Sequence, residues 1–189
     1  SGPKLDAKQM LLDADIALYR AKGLGRNRFE FFSASARRDI ISAKHLADEI
    51  LIGLERNEFV PFYQLQFDAR TLDVAGVETL ARWQHPVHGL LTPDRFLDIA
   101  EDLDAVSTID ALILERAIAD RKVWLKDGLP IPKISVNVSA RRLADPDLGK
   151  KLRALKIEPG TFSFELLESI SLDDCDEAVA ANLKKLRKL

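Results

Sequence analysis

The sequence predicts a mixed α/β fold from about residue 59 onward, in which mostly parallel strands alternate with helices. Strand-like apolar runs alternate with segments of helical periodicity, an order that favours right-handed crossovers between parallel strands. The exception is the six-residue connection between the runs 59–67 and 74–83, which is too short for a crossover helix. These first two strands should therefore pair antiparallel. The four predicted strands amount to half of a closed barrel of eight, which typically takes about 250 residues.

Residues before position 59 are predicted to form two helices with a short strand between them. Apolar residues recur at three- and four-residue steps over 10–22, and Gly23 and Gly25 end this helix. The aromatic run 26–32 favours a strand. A second helix with an apolar stripe over 40–54 is interpreted as a linker between domains.

After Pro93 the pattern changes to longer helical periodicity with buried strands between the helices. Ser139 is well placed to cap a short helix, since a serine side chain can accept from the exposed N–H groups of a first turn. The predicted elements are helices over 96–103 and 109–125, a strand over 133–138, a helix over 148–155, a strand over 162–167 and a helix from 173 onward.

The composition is that of a globular protein, with 47% hydrophobic and 31% charged residues. Lys and Arg total 28 against 30 Asp and Glu, so the net charge of −2 argues against a nucleic-acid polymer as partner. The single cysteine excludes an intramolecular disulfide and a cysteine-based metal cluster. No apolar run reaches the roughly 20 residues of a membrane-spanning helix, so we expect no membrane contact by this segment.

Three oxygen-bearing side chains are predicted near the carboxyl ends of strands, where ligands gather in α/β folds. Glu78 lies late in the second strand, Asn137 ends the third, and Glu165 lies late in the fourth. Two carboxylates and an amide suit a hard divalent cation, Mg²⁺ or Mn²⁺. Spacing alone leaves a simpler alternative open, because polar groups at strand ends are commonly just solvated.

Three stretches together resemble the motifs of the EAL family of cyclic-di-GMP phosphodiesterases, in that family's order and approximate spacing. They are GVETLARWQHPVHGLLTPDRFLDIAED, NVSA and FELLES. The resemblance implies a TIM-like barrel of the EAL type with an antiparallel first strand, of which this chain would be the first half. It also implies metal-dependent hydrolysis of cyclic di-GMP to linear pGpG, with two divalent ions activating a water for in-line attack.

The resemblance assigns roles by position. Glu78 matches the first glutamate of the EAL triplet, a catalytic residue and metal ligand, while Asn137 and Glu165 match further metal ligands. Glu168 matches a catalytic glutamate that steadies a loop over the site.

Three further residues match positions that contact the substrate in the family. Gln64 corresponds to a substrate-binding glutamine, Leu80 to a residue lining the guanine-nucleotide pocket, and Arg82 to an arginine that meets a phosphate.

This sequence departs from the family pattern at three positions, with Thr79 for alanine, Leu65 for proline and Leu167 for threonine. Thr79 should point away from Glu78 in a strand, so its hydroxyl is expected to affect packing rather than coordination. The family's paired aspartates, lysine and further glutamate are not in this chain, which is therefore expected to be inactive alone.

The amino-terminal stretch DADIALYRAKGLGRN resembles the end of GGDEF cyclase domains, with Lys22 and Arg26 at positions that contact nucleotide phosphates. The predicted layout is a GGDEF remnant over 1–33, a linker helix over 34–58 and the first half of an EAL domain over 59–189. The family implies a location in the bacterial cytoplasm, with membrane anchoring through upstream segments left open.

An alternative to the phosphodiesterase remains open at this point. The EAL-like fold could instead belong to a non-catalytic cyclic-di-GMP receptor or a regulatory scaffold. The H-x-x-H pair His85 and His88 is interpreted as part of a loop. Because half a barrel leaves an open sheet edge, we also expect either a homodimer through the EAL or linker region or further downstream residues that complete the sheet.

Overall fold

A computed structural model describes residues 6–23, 25, 27–166 and 177–187 of the chain. The chain divides into two compact units, Ser1–Glu49 and Ile50–Leu189. Two helices open it, α1 over Ala7–Gly23 and α2 over Ala34–Glu55, as the periodicity predicts. None of the helices in the described ranges is long and apolar enough to cross a bilayer.

The strand predicted over 26–32 is not formed. Residues 27–33 have no regular structure, and Phe29 and Phe31 are about four-fifths exposed with their rings edge to face. A strand needs a neighbouring strand to take up its N–H and C=O groups. The part of this unit that the structure describes holds only helices beside the segment, so aromatic composition alone was a misleading signal.

The second unit contains one five-stranded sheet. Its strand order is β1-β2-β4-β5, with β3 paired to the far end of β2. β1 and β2 are antiparallel as predicted, whereas β2–β4 and β4–β5 are parallel. The sequence prediction missed β3, which is only three residues long and too short to show an alternating pattern. The strands are β1 Phe59–Phe67, β2 Val74–His85, β3 Gly89–Leu91, β4 Ile134–Val138 and β5 Phe162–Leu166.

The helices of this unit confirm the predicted ones within a few residues. Ser139 caps α5 as expected, because its Oγ accepts the N–H of Arg142 at 3.4 Å. The helices are α3 Pro93–Asp102, α4 Val106–Lys126, α5 Ala140–Leu143, α6 Leu148–Ala154 and α7 Glu177–Leu186.

One face of the sheet is packed with apolar side chains. Ile134, Val136 and Val138 alternate along β4 and are all buried, together with Leu114 and Ala117 of α4. Since successive strand residues point to opposite faces, the residues between them lie on the other face. That second face carries the polar groups, so core packing decides which residues of β2, β4 and β5 are available for a site.

Candidate active site

The register of β2, β4 and β5 puts the predicted cation ligands on one face. Glu78 pairs with Ser135 of β4, and Asn137, two residues further along β4, pairs with Glu165 of β5. Paired residues point to the same face, as do residues two apart in one strand. Glu78, Asn137 and Glu165 therefore share a face, and each is partly buried. A one-residue slip in either pairing would have separated them.

The antiparallel pair β1–β2 adds the predicted substrate residues to this face. Gln64 pairs with Glu78, and Phe62 pairs with Leu80. Arg82 lies two residues beyond Leu80 on the same face, with its guanidinium carbon 5.8 Å from the centre of the Phe62 ring. The Arg82 Nη1 also donates to its neighbour's carbonyl, Ala81 O, at 2.8 Å. These contacts orient the guanidinium on the face of the sheet that also carries Glu78.

A cavity of about 210 Å³ lies beside the middle of β2 and the end of β4, against α3 and α4. Leu80 and Asn137 contribute to its wall, and most of the remaining wall is apolar. The cavity is smaller than a typical ligand pocket of about 300 to 1,000 Å³. The other residues of the wall are Thr79, Ala81, Pro93, Leu97, Val106, Ile109, Asp110, Ile113 and Ser139.

Asp110 of α4 contacts the turn that follows Asn137, and the sequence did not indicate it as a site residue. Its Oδ2 accepts the backbone N–H of Ser139 at 2.9 Å. Burial raises the pKa of this carboxyl, an effect opposed by the hydrogen bonds from Ser139 and by the charge of Arg142. The signal in the sequence is faint, a carboxylate next to Ile109 and three residues before Ile113 on the buried stripe of α4.

Thr79, which replaces alanine in the triplet, behaves as predicted. It pairs with Val136 on the packed face, opposite to Glu78, and only 2% of it is exposed. Its Oγ1 is buried and has no hydrogen-bond partner among the described residues. The hydroxyl thus belongs to packing and to the cavity wall, where it is an unsatisfied polar group.

The two histidines of the H-x-x-H pair lie at the turn between β2 and β3. His85 ends β2 and is buried, and its Nδ1 accepts the N–H groups of Val87 and His88 at 3.1 and 3.2 Å. His88 therefore lies in the turn as predicted, whereas His85 is a strand residue, and its Nδ1 closes the turn.

Some predicted residues fall elsewhere. Glu168 and Leu167 lie outside the described residues, as does Arg26. Lys22 lies near the end of α1 and is exposed. Leu65 is half exposed on β1, at the edge of the sheet.

The parallel strands and the polar face that they carry are typical of a class, the (β/α) barrel proteins, which build their sites from side chains of several neighbouring strands. Within that class, the chain belongs to the EAL domain family, which matches residues 47–189.

The similar proteins include two that are named as cyclic di-GMP phosphodiesterases. The bifunctional diguanylate cyclase/cyclic di-GMP phosphodiesterase MucR of Pseudomonas aeruginosa is 34% identical over 175 residues, which cover 90% of this chain and 26% of MucR. The cyclic di-GMP phosphodiesterase NbdA of the same organism is 27% identical, covering 96% of this chain and 24% of NbdA. The chain therefore spans about a quarter of the length of these curated relatives.

Solved structures agree with the fold. The PaMucR phosphodiesterase in complex with c-di-GMP is 33% identical with a TM-score of 0.67, covering 75% of this chain and 59% of that one. The EAL enzyme Bd1971 with cAMP and cyclic-di-GMP bound has a TM-score of 0.68 at 23% identity, covering 97% and 49%. At that identity the second likeness concerns the fold alone, and both confirm the predicted partial TIM-like barrel.

Proposed function

We propose that this chain forms part of an enzyme that binds cyclic di-GMP and hydrolyses one of its phosphodiester bonds to give linear pGpG. The observation that carries the proposal is the strand register, which puts Glu78, Asn137 and Glu165 on one face of the sheet. Glu78 lies in the middle of β2, and Asn137 and Glu165 lie one residue before the ends of β4 and β5. The relatives named as cyclic di-GMP phosphodiesterases support the same reaction.

The donor set fits a hard divalent cation. Two carboxylates and one amide offer only oxygen, the donor that Mg²⁺ and Mn²⁺ prefer, and leave coordination positions for phosphate oxygens and water. Glu78, Asn137 and Glu165 would hold the ion, and Glu168 would have the family role of steadying a catalytic loop. When bound, a divalent cation polarises the phosphoryl oxygens and lowers the pKa of a bound water.

The neighbouring side chains would hold and orient the nucleotide. Arg82 would donate its planar pair of N–H groups to a phosphate, and Gln64, the partner of Glu78 on β1, would contact the substrate from the other side. Leu80, two residues after Glu78 and on the same face, would pack against a guanine. Together they fix the scissile phosphate beside the cation ligands, which is the entropic part of catalysis.

The test is hydrolysis of cyclic di-GMP by the full-length protein carrying this sequence, with Mg²⁺ or Mn²⁺ and with pGpG measured by chromatography. We expect Glu78→Gln, Asn137→Ala and Glu165→Gln each to lower kcat by about 100-fold or more, because each removes a cation ligand. The matched control is Glu158→Gln, an exposed carboxylate before the amino end of β5 that pairs with Arg121 at 3.0 Å.

The control variant should turn over like the wild type. A protein that binds cyclic di-GMP but yields no pGpG with either metal would be a receptor, and the phosphodiesterase proposal would be wrong. Removing the cation with EDTA should abolish hydrolysis, and added Mn²⁺ should restore it.

The domain layout also remains a proposal. A GGDEF remnant over 1–33 would account for the exposed Phe29 and Phe31, since large exposed apolar patches usually pack against another surface. The layout continues with the linker over 34–58 and the EAL half over 59–189. A homodimer through the EAL or linker region, and a bacterial cytoplasmic location, complete this proposal.

A further inference from the structure

The turn between β4 and α5 starts immediately after a proposed cation ligand. Asn137 is the last residue but one of β4, and Ser139 is the N-cap of α5. The carbonyl and hydroxyl of Ser139 are used by the helix, since they accept the N–H groups of Leu143 and Arg142. An N-cap residue's own N–H has no partner inside its helix, so this amide needs one from elsewhere.

Asp110 supplies that partner from a different element. It lies 29 residues earlier in α4, and its Oδ2 accepts the Ser139 N–H at 2.9 Å. Ser139 is only 8% exposed, so water would be a poor substitute. The bond ties the turn to the first half of α4 and is charge-assisted, which makes it stronger than a neutral hydrogen bond.

Asn137 has few other constraints on its β2 side. The pairing of β4 with β2 ends at Val136 and Thr79, one residue before Asn137, so the strand pairing holds Asn137 only through β5. Asp110, Asn137 and Ser139 line the same cavity. Beyond Val136, where the pairing with β2 ends, the hydrogen bond from Ser139 to Asp110 therefore restrains the end of β4 on this side.

We propose that Asp110 is a positioning residue for Asn137: by fixing the Ser139 amide, it sets the direction in which the end of β4 presents the Asn137 side chain to a divalent cation. This inference rests on the proposed function, because it takes Asn137 as a cation ligand. Groups that orient metal ligands commonly change metal affinity by about 10- to 100-fold when they are removed.

The test is direct Mn²⁺ binding to the full-length protein, followed by the electron paramagnetic resonance signal of free Mn²⁺. We expect Asp110→Ala to raise the apparent Kd for Mn²⁺ about tenfold. Asp110→Asn, which keeps an oxygen acceptor, should stay close to the wild type. Asp110→Glu, which moves the acceptor by one methylene group, should also weaken binding and serves if the alanine variant fails to fold.

Asp120→Ala is the matched control. Asp120 lies in the same helix and also accepts a hydrogen bond from another element, the Tyr63 hydroxyl of β1 at 2.6 Å. That hydrogen bond is not to the β4–α5 turn. It should lower thermal stability without changing Mn²⁺ affinity. Asn137→Ala is the reference for loss of the ligand itself.

Mn²⁺ binding tests the role of Asp110, whereas pGpG formation tests the phosphodiesterase activity. Folded Asp110→Ala and Asp110→Glu variants that bind Mn²⁺ like the wild type would overturn the inference while leaving the phosphodiesterase proposal intact. Weaker Mn²⁺ binding in a protein that makes no pGpG would support the inference and reject the function. No effect of Asn137→Ala on Mn²⁺ binding would overturn the positioning role, since there would be no ligand to position.

Discussion

At the scale of single residues, Thr79 adds a methyl and a hydroxyl group to a packed strand face. The methyl fills space, but the hydroxyl is buried without a partner among the described residues. Leaving a buried hydroxyl unsatisfied costs about 1 to 3 kcal/mol, and an apolar group of the same shape avoids that cost.

We therefore expect Thr79→Val to raise the free energy of unfolding by about 1 kcal/mol, measured by urea denaturation. Cyclic-di-GMP binding should be unchanged, because residue 79 faces away from Glu78. A drop in stability would mean that the hydroxyl has a partner, such as a water in the cavity, and that the cavity is wet.

At the scale of elements, β1 and α4 are joined by a hydrogen bond and an aromatic pair, both made by Tyr63. The Tyr63 hydroxyl donates to Asp120 at 2.6 Å, and its ring packs edge to face on Trp124 with centroids 4.6 Å apart. Burial raises the pKa of Tyr63, and the hydrogen bond and charge of Asp120 raise it further.

The raised pKa of Tyr63 predicts a loss of stability at alkaline pH. Because the neutral phenol is favoured in the fold, the contribution of Tyr63 is fully present below an unfolded pKa of about 10 and falls as the pH rises above it. We expect the free energy of unfolding to decline more steeply above about pH 10 in the wild type than in Tyr63→Phe. Equal slopes in the two proteins would contradict the raised pKa.

The close approach of β2 and β4 is a second feature of the elements. Val77 donates its N–H to Lys133 O at 2.8 Å, and a Cβ on Gly76 would lie 2.5 Å from that same carbonyl oxygen. A side chain here would push apart the two strands that carry Glu78 and Asn137.

Gly76→Ala should therefore lower the free energy of unfolding by about 2 kcal/mol, measured by thermal or urea denaturation. Gly149→Ala is the matched control, because the nearest atoms to its Cβ belong to the flexible side chain of Lys185. In helix α6 that change should be neutral or stabilising. Equal destabilisation in both variants would count against a backbone clash at Gly76.

At the scale of the whole molecule, acidic and basic residues nearly cancel, with a net charge of −2. Affinity for a nucleic-acid polymer depends on many phosphate contacts, whereas one small nucleotide needs only local groups such as Arg82. We expect no binding of a labelled 30-nucleotide DNA at about 150 mM salt in a fluorescence anisotropy titration. Salt-sensitive micromolar binding of that DNA would show a basic surface that the net charge conceals.

The sequence by itself determined most elements of this protein and the positions of its polar residues along them. Periodicity is a local property, so α1, α2, α4 and the paired strands β1 and β2 could be predicted within a few residues. The motifs around Glu78, Asn137 and Glu165 indicated the family, and residues 47–189 match it.

Only the tertiary structure decided what depends on partners distant in the chain. The segment 27–33 has strand-like residues but no neighbouring strand, and β3 forms only because β2 extends beside it. The register that puts Glu78 on the face of Asn137 and Glu165, and the bond from Asp110 to Ser139, join residues separated by 28 positions or more. Such contacts are set by packing and pairing in space, which a local pattern in the sequence does not contain.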